Sequence, residues 1–136
     1  MVEVRTMRPD ELARACEIVA AQGLCGREDG LAARLEPIAA AATSDFLVAE
    51  SGGELVGVLL STFDGFSHFV SHMAVAPGHE RRAIGRRLLE ELVRRTCDRG
   101  GKNIVVASWL TAAGFYHEQG FRMPGAVFLV RDVRPS

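Results

Sequence analysis

Met73-Ala-Val-Ala-Pro-Gly-His-Glu-Arg-Arg-Ala-Ile-Gly-Arg-Arg-Leu-Leu89 is the stretch on which the fold turns. Met73 to Ala76 is the apolar end of a strand, and Pro77-Gly78 is a turn. His79 to Arg82 is a polar, basic loop. From Ile84 onward, Leu88, Leu89, Leu92 and Val93 recur at helical spacing and mark one apolar face. Arg82, Arg86, Arg87, Glu90, Glu91 and Arg94 occupy the other face. A strand that runs through a basic, small-residue turn into a helix start suits an anionic phosphate. The N–H groups of the first helical turn lack intrahelical acceptors, and the helix dipole adds positive potential. Arg81 and Arg82 stand where charge-assisted bonds can be added. The stretch therefore predicts a phosphate-bearing ligand, a nucleotide or a cofactor.

The remainder of the chain fits a single domain over residues 1–136. A domain of this length buries roughly two-thirds of its unfolded surface and needs no staples. Its 48% hydrophobic content is that of a globular core, and no apolar run approaches a membrane span. A formal net charge of −1 argues against bulk electrostatic binding of nucleic acid. Cys16, Cys25 and Cys97 are odd in number and lack metal-ligand spacing, so they read as reduced thiols. Met1-Val-Glu-Val opens on an acid rather than a basic segment. Together these predict a cytoplasmic protein. His68, His72, His79 and His117 form no metal-ligand pattern, and no metal is expected.

Patterning predicts the order of elements. Val2 to Thr6 alternates as a strand, and Pro9-Asp10 opens a helix carrying Leu12, Cys16, Val19 and Ala20 inward. Gly23 and Gly26 bracket a loop, and a second helix covers about Glu28 to Ala42, kinked or split at Pro37. Phe46 to Glu50 and Glu54 to Ser61 form a hairpin across Ser51-Gly-Gly53. After the Asp64-Gly65 turn comes a strand from Phe66 to Val75, and then the central helix, ended by Arg99-Gly-Gly101. Ile104 to Trp109 is a continuous apolar strand, Thr111 to Gln119 a short helix, and Met123 to Val130 the closing strands. The expected architecture is a mixed α/β sheet with one helix docked after its central strand.

Two motifs carry a resemblance. Glu80-Arg-Arg-Ala83-Ile-Gly85, behind Met-Ala-Val-Ala-Pro, resembles the pyrophosphate loop Q/R-x-x-G-x-G/A of the Gcn5-related N-acetyltransferase (GNAT) family. Ala112-Ala-Gly-Phe-Tyr116-His-Glu-Gln-Gly-Phe121 resembles that family's A-x-x-x-Y-x-x-x-G-F. The chain is identified as a small single-domain member. The resemblance implies a three-layer α-β-α fold with a mixed, mostly antiparallel sheet. It implies acetyl-CoA as cosubstrate, wedged between the central strand and the next. Backbone groups of Met73, Ala74 and Val75 would pair with the pantetheine. The loop and helix start at Arg81, Arg82, Ala83, Ile84, Gly85 and Arg86 would hold the pyrophosphate. Tyr116 matches the family's general acid, and a phenol with a pKa of about 10 stays protonated at neutral pH. Glu80 stands where the family carries Gln or Arg, and Ala83 where it carries Gly.

Alternatives stay open at several positions. His72, three residues before Val75, is a candidate general base because imidazole titrates near neutrality; a water relay is the other candidate. His68 shares its face if no bulge intervenes. Arg86 and Arg87 suit a ligand or a solvated helix face equally. The expected function is transfer of an acetyl group to an amine, small molecule or peptide, by direct attack in a ternary complex. The alternative is a catalytically weak CoA-binding or regulatory module. A homodimer is possible, and neither nucleic acid nor membrane is expected as a partner. The acceptor amine is not legible.

Overall fold

The computed structural model describes residues 1–21, 30–80, 83–108 and 110–133. It divides into two compact units, Met1–Val106 and Ala107–Ser136. In the first unit a five-stranded sheet runs in the order β1 (Val2–Thr6), β2 (Ser44–Ser51), β3 (Glu54–Phe63), β4 (Ser67–Val75), β5 (Asn103–Val106). The first three pairings are antiparallel and β4–β5 is parallel, so the sheet is mixed and mostly antiparallel. Gly52 and Gly53 both take positive φ (59° and 83°) in the two-residue β2–β3 turn, the sense that matches strand twist.

Helices cover both faces. On one side, α1 (Leu12–Ala21) and α2 (Leu31–Ala40) bury Ala15, Ile18, Val19 and Leu35 against Phe46, Val48, Val58, Leu60 and Ala74. Glu11 caps the entry to α1, where its Oε1 accepts the Arg8 N–H at 2.8 Å. Pro37 lies inside α2 without splitting it. On the other side, α3 (Ile84–Asp98) buries Ile84, Leu88, Leu89 and Leu92, while Val93 is half exposed rather than part of the inward face. Gly57 of β3 lets this helix come close: a Cβ there would stand 2.6 Å from Ile84 Cγ2. The sheet with helices on both faces is the three-layer α/β arrangement.

The second unit holds a 3₁₀ turn (Leu110–Ala112) and α4 (Ala113–Glu118). The expected closing strands at 123–130 are not formed: none of the described residues beyond Val106 lies in a strand. Val127, Phe128, Leu129 and Val130 are all largely exposed, so the apolar run that predicted a strand is not buried here. The expected strand to Trp109 ends at Val106, and Trp109 itself lies outside the described residues. Among the described residues no helix is long and apolar enough to cross a membrane.

Candidate active site

The strands β4 and β5 pair over only four positions, Ser67↔Asn103 to Val70↔Val106. β4 then continues alone on that side through Val75, so the sheet forks after Val70. At the fork β4 carries a bulge. Ser61 pairs with Val70 and Leu60 with His72, which leaves Ser71 as the extra residue. The bulge reverses which face each later side chain takes. His68 pairs with Phe63 on the α3 side, whereas His72 pairs with Leu60, whose side chain lies in the α1–α2 core. The expectation that the two histidines share a face fails for this reason.

His68 is fully buried, and its neighbours are structural. Its Nε2 lies 2.7 Å from Asp45 Oδ2, and its Nδ1 lies 2.7 Å from Thr96 Oγ1. The Thr96 hydroxyl in turn donates to the Leu92 carbonyl at 2.7 Å. Arg95 and Arg99 of the helix end reach the same Asp45 carboxylate at 3.2 and 2.9 Å. Burial opposes ionisation of Asp45, but hydrogen bonds from His68, Arg95 and Arg99 outweigh it and hold its pKa below the ordinary value. The cluster ties the C-terminal half of α3 to β2 and β4.

His72 is half-buried, with Nδ1 3.0 Å from the Ser71 hydroxyl. Beyond it, Met73 and Val75 are half-buried and Ala74 is buried. The chain then turns: Ala76 N–H donates to the Val56 carbonyl, and His79 N–H to the Ala76 carbonyl. Glu80 folds back on this turn, its Oε2 accepting the Gly78 N–H at 2.9 Å. Ala83 caps α3 at φ 57°, and among the described residues it is the only non-glycine with positive φ. The first helical bond of α3 is Arg87 N–H to the Ala83 carbonyl, so the N–H groups of Ile84, Gly85 and Arg86 precede the ladder. Ile84 and Gly85 are buried and Arg86 is exposed beside Glu90. Arg87 donates to the Val2 carbonyl and so fastens α3 to β1.

A forked parallel pair with a helix opening at its mouth is a frame for an extended ligand ending in phosphates. Residues 42–123, more than half of the chain, match the family described as Acetyltransferase (GNAT) domain. The chain belongs to the GNAT acetyltransferases. No curated protein matches it in sequence. Among solved structures, a transcriptional regulator from Bacillus halodurans C-125 superposes with a TM-score of 0.84 at 19% identity, over 97% of this chain and 100% of that one. The aminoglycoside acetyltransferase HMB0005, from an uncultured soil metagenomic sample, gives 0.74 at 24% identity, over 100% and 99%. The aminoglycoside N-acetyltransferase AAC(6')-Iy in complex with CoA gives 0.81 at 17%, over 97% and 95%. These likenesses establish the GNAT fold.

In this GNAT chain the residues singled out from the sequence fall into three groups. His72, Met73, Ala74 and Val75 line the forked part of β4, and Ala83, Ile84, Gly85 and Arg86 form the start of α3. Arg81 and Arg82 lie outside the described residues, as do the expected loop between Gly23 and Gly26 and the start of the expected second helix at Glu28 and Asp29. Tyr116 belongs to the second unit. It sits edge-on to Phe115 and Phe121, at 5.1 and 5.4 Å between ring centroids. Burial pushes its phenol pKa up, so it holds its proton at neutral pH. Two features escaped the sequence reading. Ser71 carries no local signal that marks a bulge. The Asp45–His68–Thr96 cluster joins residues 23 and 28 positions apart, beyond any spacing rule. Among the described residues no group of three His, Cys, Asp or Glu side chains is placed to hold a metal.

Proposed function

We propose that this chain is an acetyl-CoA-dependent N-acetyltransferase, a single GNAT domain over residues 1–136 that acetylates an amine by direct attack in a ternary complex. The observation that carries the reading is the fork. Met73 to Val75 lie past the last β4–β5 pair, where an extended pantetheine can take the place of a neighbouring strand. The start of α3 at Ala83, Ile84, Gly85 and Arg86 would receive the pyrophosphate, joined by Arg81 and Arg82. That AAC(6')-Iy is described in complex with CoA supports the same ligand here.

The amine nitrogen, in its neutral form, bonds to the thioester carbonyl carbon, and the carbon–sulfur bond breaks. His72 takes the proton that the nitrogen gives up, and the Tyr116 hydroxyl supplies one to the departing thiolate. The products are the amide and CoA as its thiol, and proton exchange through solvent restores both residues. Aminoglycoside acetyltransferases among the fold neighbours support a small-molecule amine as acceptor. The exposed apolar run at Val127, Leu129 and Val130 supports a homodimer. The free thiols Cys16 and Cys97 support a cytoplasmic location.

The test is thiol release from acetyl-CoA across a panel of aminoglycosides, polyamines, amino acids and peptides. Amine-dependent release is the expected result. Cofactor binding without release for any amine overturns the enzymatic reading and leaves a CoA-binding regulatory module.

A further inference from the structure

Gly57 of β3 stands between the two halves of the candidate cofactor site. In the sheet it pairs with Val75, the last residue of β4. On the face that α3 covers it meets Ile84, the first residue of that helix. A Cβ built on Gly57 would lie 2.6 Å from Ile84 Cγ2, 3.1 Å from Leu88 Cδ1 and 3.3 Å from Ala49 Cβ. The first distance is far inside the separation at which two carbon atoms pack, and the other two close the space around it. Backbone conformation does not call for glycine here, because Gly57 is not among the glycines with positive φ. Glycine inside a strand also weakens it, so its place here points to a close approach. We infer that Gly57 is a positioning residue for the cofactor: its missing Cβ sets the span between the strand end at Val75, for the pantetheine, and the helix start at Ile84, for the pyrophosphate.

The inference rests on the reading of the fork and the α3 start as an acetyl-CoA site. Pantetheine and pyrophosphate belong to one covalent molecule, so the strand end and the helix start must be spaced to match it. The N–H groups of Ile84, Gly85 and Arg86 precede the helical ladder, and a hydrogen bond from any of them weakens steeply when its geometry is lost. Ile84 Cγ2 is one bond from its own Cβ, and the residue is fully buried. A methyl group on Gly57 therefore displaces the first turn of α3 rather than a flexible side-chain tip.

The experiment is a double-mutant cycle on the full chain: wild type, Gly57→Ala, Ile84→Leu, and the two together. Leucine has no branch at Cβ, so Ile84→Leu deletes the obstructing Cγ2 while conserving volume. Acetyl-CoA affinity is read by calorimetry, and circular dichroism checks that each variant is folded. Gly57→Ala is expected to fold and to weaken acetyl-CoA binding by about tenfold to hundredfold, the worth of one hydrogen bond to a charged group. Made in the Ile84→Leu background, the same change is expected to lose most of that effect. With an amine that supports turnover, Gly57→Ala should raise KM for acetyl-CoA and leave kcat at saturation unchanged. Unchanged affinity in Gly57→Ala, or an equal loss in both backgrounds, overturns the proposal. A Gly57→Ala chain that loses binding because it is unfolded makes Gly57 a core residue and also overturns it. A wild-type chain that binds no acetyl-CoA overturns instead the cofactor reading beneath it.

Discussion

Ala83 holds the most telling backbone angle in the chain. Its φ of 57° is left-handed, where a Cβ crowds the following carbonyl at a cost of about 1–2 kcal/mol. The family motif carries Gly here, a residue whose missing Cβ lets the backbone come close to a phosphate. The structure adds a second reason for Gly: the turn into α3 needs this conformation whatever the residue. Ala83→Gly should therefore raise stability by about 1 kcal/mol, since glycine takes positive φ freely and is also the better helix N-cap. Chemical denaturation checks this, and a destabilised variant would contradict it. Glu80 reads differently again. It stands where the family carries Gln or Arg, and in the structure its carboxylate accepts the Gly78 N–H and shapes the turn. At Tyr116, Phe keeps the ring among Phe115 and Phe121 and removes only the donor. Turnover of Tyr116→Phe should fall about 10²–10⁴-fold with acetyl-CoA binding little changed. Thiol-release kinetics beside direct binding separates the two, and full retention of turnover would leave Tyr116 as a packing residue.

At the scale of elements, β4 and α3 carry the design. Alternation and helical spacing made both legible, because burial imposes periods of two and 3.6 on the sequence. The bulge was not legible, since one inserted residue leaves no compositional mark, and it moves His72 off the face of His68. The polar cluster around Asp45 was equally hidden, because it is made by packing between elements distant in sequence. It also has a measurable consequence. Asp45 titrates below its ordinary value in the folded chain, so it stabilises the fold above the ordinary carboxylate pKa, and that contribution is lost as pH falls through the folded value. Asp45→Asn should cost about 2–4 kcal/mol at neutral pH, because His68 and two arginines lose their charged acceptor. The gap to wild type should close as pH drops below about 4. Urea denaturation at a series of pH values checks it; a gap independent of pH would contradict the electrostatic origin. Glu11, held to about 2 chiefly by its hydrogen bonds from Arg5, and Glu91, held to about 2 chiefly by Arg94, act in the same sense. Their contribution is complete above the ordinary value of 4.5 and fades towards pH 2.

For the molecule, the order of strands and helices through Val106 followed from patterning, and two motifs together pointed to the family that residues 42–123 match. The closing strands did not follow. Residues 126–130 have strand composition, but a strand forms where it gains a buried face, and Val127, Leu129 and Val130 stay largely exposed. The acceptor was illegible for a related reason, because specificity rests on the shape of a surface that no spacing records. Acetyl-CoA binding is the property on which the functional reading stands. Its direct measurement is a calorimetric titration of the purified chain, paired with thermal denaturation at rising acetyl-CoA. We expect saturable binding at one site per chain and a stability gain of about 2.7 kcal/mol at ~100 times the dissociation constant. A blank titration with no thermal response at millimolar acetyl-CoA would contradict the assignment of the fork and the α3 start as a cofactor site.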